Sequence, residues 1–69
     1  MKNYGEIIRI ARKHAGLTQK ELAEKAGVAK ITIQQYEAGK RQPRLEQLEM
    51  LADAMKMDIG ELLSTQSKQ

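Results

Sequence analysis

The stretch Ala29-Lys30-Ile31-Thr32-Ile33-Gln34-Gln35 holds the side chains in this sequence best suited to recognition. Placed on a helix with Val28, Ile33 and Tyr36 turned inward, it leaves Ala29, Lys30, Ile31, Thr32, Gln34 and Gln35 outward. Four of these six carry hydrogen-bonding side chains and none is acidic. A lysine can donate to guanine O6 and N7, and a glutamine can bond an adenine edge in two places. Ala29, Ile31 and the Thr32 methyl group match a thymine methyl. The missing carboxylates fit a surface that meets phosphates, which would repel them. Each residue also has a plainer reading. Ile31 is otherwise a half-buried residue on an imperfectly amphipathic helix, and Gln34 and Gln35 are otherwise neutral helix formers on a wetted face.

Cations flank this stretch. Lys40, Arg41 and Arg44 fall within five residues just beyond it. Their plain role is to keep a loop soluble, but their position beside a candidate reading helix favours phosphate contact. Gln19 falls in the first turn of the preceding helix, where free N–H groups and the dipole favour an anion.

Short helices must position these groups. Tyr4, Ile7, Ile8, Ala11 and Ala15 recur at helical spacing and define a first helix, with Asn3 as its N-cap and Gly16 as its stop. Thr18-Gln19-Lys20-Glu21 reads as a capping box that opens a second helix, with Leu22, Ala23 and Ala26 inward and Leu17 packed ahead of the cap. Gly27 supplies the sharp turn into a third helix, from about Ala29 to Glu37 or Ala38, and Gly39 ends that helix. Pro43 keeps Gln42 out of helical geometry. A fourth helix then runs from Leu45 to Met55, with Leu45, Leu48, Leu51, Ala52 and Met55 inward. Asp58-Ile59-Gly60-Glu61 is a second capping box and opens a last short turn, with Ile59, Leu62 and Leu63 inward. Residues 64–69 contain no apolar side chain and read as a disordered polar tail. The expected class is all-α: one domain over residues 1–63, built from five short helices. The second and third, joined by a tight glycine turn, form a helix-turn-helix, which can set one helix across a DNA backbone and the next in the major groove.

Composition narrows the function classes. With 69 residues the chain holds one small domain and cannot house a large cleft. It has no Cys and one His, which leaves no basis for a disulfide or a protein-built metal site. No apolar run approaches the ~20 residues of a membrane span, and charge interrupts the N-terminus too early for a signal peptide, so a cytoplasmic location is expected. Residues 1–44 hold ten of the twelve cations and four acids, whereas residues 45–69 hold two cations and five acids. A basic front and an acidic back suit a molecule with one polyanion-facing surface. The plain reading is a solvated mixture of charges. His14 fits the C-terminal end of the first helix, where imidazolium suits the dipole. Met50 lies off the inward face of the fourth helix and, with Met57, could belong to a dimer seam. Gly16, Gly27 and Gly39 are spaced as helix stops, not as a phosphate-cradling loop, and no catalytic grouping stands out.

The segments LTQKELAEKAGV, IxxYEAGKRQP and LEQLEMLADAM closely resemble the Cro/phage-repressor family of helix-turn-helix domains (lambda-repressor-like, XRE-type). The likeness spans nearly all of residues 4–63, with Gln19, Ala23, Gly27, Ile33, Glu37, Gly39 and Pro43 at the family's spacing. It implies a five-helix fold and dimeric binding to a palindromic operator in double-stranded DNA. Base contacts would then fall at Ala29, Lys30, Ile31 and Gln35, with Thr32 and Gln34 nearby, and phosphate contacts at Gln19 and the residues after the third helix. It also implies an ion pair between Arg12 and Glu37 that braces the third helix. No cofactor, metal, small-molecule ligand or membrane is implied, and no enzymatic activity. Two departures stand out: Ala29 replaces the usual Ser or Thr, and Arg44 replaces a small polar cap. A rival expectation is a protein-interaction module, such as an antitoxin-like adaptor, that reuses the fold.

Overall fold

A computed structural model describes residues 4–65, which form α1 (Tyr4–His14), α2 (Gln19–Ala26), α3 (Lys30–Glu37), α4 (Leu45–Ala54) and α5 (Ile59–Ser64) with no strand among them. Asn3, and residues 66–69 of the expected tail, lie outside the described residues. α5 includes Ser64, and the Thr65 hydroxyl donates to the Glu61 carbonyl at 3.1 Å.

Every helix is shorter than the ~12–15 residues at which an isolated helix becomes even marginal in water. Their helicity therefore depends on a shared core. Each helix supplies at least one fully buried side chain: Ile7 and Ile8 from α1, Leu22 from α2, Ile33 from α3, Leu51 from α4 and Leu62 from α5. The pairings close into a ring. α1 packs on α3, α3 on α2, α2 on α4, α4 on α5, and α5 back on α1.

The caps follow the sequence unevenly. Thr18 Oγ1 accepts the Glu21 N–H at 3.0 Å while Glu21 Oε1 accepts the Thr18 N–H at 2.8 Å. Asp58 and Glu61 make the same reciprocal pair. At α4 only half of such a box forms. Gln47 Oε1 accepts the Arg44 N–H at 2.8 Å, but a guanidinium has no acceptor with which to return the bond. At α3, Ala29 gives no side-chain cap bond.

Two expected core positions are not core. Ala15 is exposed: it lies one residue past the end of α1, and the chain turns away directly after it at Gly16 (φ 74°). Leu45 shares the phase of Leu48 yet is 60% exposed, since it occupies the first turn of α4, where the correct phase does not guarantee a covering neighbour. α4 itself ends at Ala54, with Met55 as a buried cap residue. Lys56 (φ 60°) takes the left-handed turn toward α5.

Gly5 sets how closely α1 and α3 approach. A Cβ there would run into the Tyr36 carbonyl oxygen, with the Glu37 carbonyl oxygen at 3.1 Å. Both obstacles are backbone, so neither can swing aside. Gly60 differs, because its Cβ would meet only Asp58 Oδ1, at 3.4 Å. Gly5→Ala should therefore destabilise the domain by about 1–3 kcal/mol by forcing α1 off α3. Gly60→Ala should stabilise it by roughly 0.5 kcal/mol through helix propensity. Thermal melts of the two variants check this, since each kcal/mol moves the midpoint of a domain this size by about 4–8 °C.

Candidate nucleic-acid interface

α2 and α3 meet through three residues. Gly27 holds φ 75° and ψ 29°, the left-handed geometry that a residue without Cβ adopts cheaply. The Val28 N–H then returns to the Ala23 carbonyl at 3.0 Å, closing the end of α2. Half-buried Val28 packs against the core, and Ile33 and Tyr36 are buried, so the orientation of α3 is fixed by its inner side.

On the outer side, Ala29, Lys30, Ile31 and Gln34 are exposed, while Thr32 and Gln35 are half-buried. Ile31 is 55% exposed, so the half-buried alternative for it is not what the structure contains. The ridge has no carboxylate. Glu37, the one acid of α3, is folded inward. Its side chain is 6% exposed and that of Arg12 is 11% exposed. Arg12 donates from Nε to Glu37 Oε2 at 2.7 Å and from Nη2 to Oε1 at 3.1 Å, a two-pronged pair. Arg12 Nη1 also donates to the Leu17 carbonyl at 2.9 Å.

Gln19 belongs to the same network. Its Nε2 donates to Glu37 Oε1 at 3.0 Å, which anchors its carboxamide at the start of α2 and beside α3. The sequence had marked Gln19 for an outer role and gave no local signal of this inner bond, which joins residues 18 positions apart. The carboxylate and its Arg12 partner together tie α1, the α1–α2 turn, α2 and α3. Among the described residues no buried side-chain polar atom lacks a partner.

Beyond α3, Gly39 (φ 76°) turns the chain and the Lys40 N–H bonds the Gln35 carbonyl at 3.0 Å. Lys40, Arg41 and Arg44 are all exposed, and buried Pro43 pins the loop between them. Arg41 Nη1 donates to Gln35 Oε1 at 3.5 Å, a link between loop and ridge that the sequence did not announce. The remaining candidates sit elsewhere. His14 is the exposed last residue of α1. Met50, 45% exposed, and Met57 line a groove of about 590 Å³ with Glu46, Glu49, Asp53 and Asp58. Among the described residues no cluster of His, Cys, Asp or Glu could hold a metal ion, and no helix is long and apolar enough to cross a membrane.

The sequence model of a helix-turn-helix family matches residues 8–62, which includes the whole α2–α3 unit and its supports. The chain belongs to the lambda-repressor-like helix-turn-helix family. Among curated relatives it is 42% identical over 61 residues to the cryptic phage CTXphi transcriptional repressor RstR of Vibrio cholerae, covering 88% of this chain and 55% of that protein. It is 34% identical over 61 residues to the transcriptional activator BcrR of Enterococcus faecalis, covering 88% of this chain and 30% of that protein. The chain thus spans about half or less of these two relatives. Among solved structures, the restriction-modification controller protein C.AhdI from Aeromonas hydrophila superposes with a TM-score of 0.81 at 30% identity, covering 87% of this chain and 91% of that one. The P22 c2 repressor in complex with a synthetic operator gives a TM-score of 0.76 at 31% identity, covering 94% and 98%.

The Arg12–Glu37 pair makes a testable demand on this family scaffold. Removing one member of a buried pair leaves the other uncompensated, at a cost of about 3–5 kcal/mol, whereas replacing both by apolar groups is often close to neutral. Arg12→Met should therefore lose about that much in urea unfolding. The double variant Arg12→Met/Glu37→Leu should recover most of the loss. A double variant as unstable as Arg12→Met alone would assign the cost to the Leu17 carbonyl or to packing instead.

Proposed function

We propose that this domain binds double-stranded DNA sequence-specifically and regulates transcription as a repressor, with α3 in the major groove. The observation that carries the reading is the ridge of α3, which is exposed, free of acids and includes an outward Ile31. An isoleucine between a lysine and a threonine on a wetted face has little value for folding, but it matches a thymine methyl. Lys30 and Gln35 add donors, Thr32 and Gln34 adjust the fit, and Ala29 lets the start of the helix approach the bases closely.

Phosphates position this reader. Lys40, Arg41 and Arg44 meet the backbone on one side of α3. Gln19, held by Glu37, offers its second amide N–H on the other. Four such contacts per copy give modest affinity, so two copies on half-sites about 34 Å apart would share a palindromic operator. The exposed Met50 and the adjoining Met57 are the apolar surface a dimer seam would use. RstR is named a repressor and P22 c2 is a repressor in complex with operator, which supports this reading. The role needs no cofactor, metal or catalysis, and it belongs in the cytoplasm, where the DNA is.

Selection of bound duplexes from a random pool, followed by affinity measurements across a salt series, tests the reading. A dimer with six phosphates neutralised by Lys40, Arg41 and Arg44 of the two copies should show a log–log salt slope of about −5. Changing Lys30, Ile31 and Gln35 together to Ala should abolish base preference and leave weak, salt-sensitive binding. Unchanged preference would remove α3 as the reader. No retardation even at low salt would favour the protein-interaction module, such as an antitoxin-like adaptor, over a DNA regulator.

A further inference from the structure

We infer that Arg41 is a specificity-setting positioning residue, which fixes the orientation of the Gln35 carboxamide and thereby the base that Gln35 reads. The inference rests on the DNA-reading role assigned to α3 above. Two observations place Arg41. The left-handed turn at Gly39 brings the chain back, and the Lys40 N–H bonds the Gln35 main-chain carbonyl at 3.0 Å, so the loop is held by its backbone beside this glutamine. The Arg41 Nη1 then donates to Gln35 Oε1 at 3.5 Å. Guanidinium has five donors and no acceptor, so the amide atom facing Arg41 must be the oxygen. The nitrogen is left for the groove.

A glutamine reads adenine by using oxygen and nitrogen side by side, accepting from N6 and donating to N7. With its oxygen turned toward the loop, Gln35 presents its N–H groups to the groove in place of the side-by-side oxygen and nitrogen that adenine requires. Donor-only contact favours guanine, with two acceptors at N7 and O6, or thymine, with O4, over adenine, whose N7 acceptor stands beside the N6 donor. Gln34 is one residue away and exposed, carries the same carboxamide and has no such tether among the described residues. Two neighbouring glutamines would then read different bases.

Selection from randomised duplexes tests this in the intact chain. The position that loses its preference in Gln35→Ala identifies the base under Gln35. At that position the wild type should prefer guanine or thymine. Arg41→Met should shift the preference toward adenine by about tenfold, and Arg41→Lys, which keeps a donor-only cation, should retain the wild-type base. In a Gln35→Ala background, Arg41→Met should lower affinity for all bases alike. Arg41 is exposed, so these variants leave the core untouched. A wild type that already prefers adenine there, or an Arg41→Met variant with unchanged preference, would overturn the role of Arg41 while leaving α3 as the reader. A wild type with no preference at any position would overturn the DNA-reading assignment and this inference with it.

Discussion

The carboxylate of Glu37 is the point on which this molecule turns. It is the last helical residue of α3, buried, and held by Arg12 of α1 and Gln19 of α2. A charge out of water is costly unless it is paired and its lone pairs are satisfied, and here both conditions hold. The gain is better described as geometry than as stability, because an apolar replacement of the pair could pack as well. The network fixes the end of α3 relative to both neighbouring helices. It also withdraws an acid from the end of the ridge proposed to meet DNA. The same atoms therefore order the helix and set its outer electrostatics.

Close backbone approach supplies the second constraint. α1 can lie against the end of α3 only because Gly5 has no Cβ to meet the Tyr36 carbonyl. Ile7, Ile8 and Ala11 then reach the core beside Ile33 and Tyr36. The Arg12 guanidinium, two turns along α1 from Gly5, arrives at Glu37 from that same approach. Core burial and the buried ion pair thus depend on one packing distance, and neither could be relaxed without the other.

Much of this was legible in the sequence. The helices could be located because their starts and stops use residues with local causes: Thr18 with Glu21, Asp58 with Glu61, and glycines at 16, 27 and 39 that do take left-handed geometry. The failures have two origins. Leu45 and Ala15 have the right helical phase, but phase describes a direction and not what lies in that direction. The turn after α4 uses Lys56 at φ 60°, a conformation no sequence rule assigns to lysine. The outward set on α3 could be named from periodicity alone. The tethers on two of the candidate contacts, Gln19 to Glu37 and Arg41 to Gln35, could not, because they join residues that only the fold brings together.

The weak features of α3 fall on the face proposed for recognition. Its N-terminus lacks a side-chain cap because Ala29 stands where a serine or threonine would bond the first turn, which forfeits about 1 kcal/mol of helix stability. Ile31 leaves its apolar surface in water. An eight-residue helix with these two defects would not persist alone. It is held from its inner side by Ile33 and Tyr36, at its far end by Glu37, and beyond that end by the Lys40 N–H on the Gln35 carbonyl. Stability is concentrated on the inner face and the C-terminal end. The outer face and the N-terminal turn are thereby released from any duty to the fold, and their side chains are free to be chosen for the surface they meet.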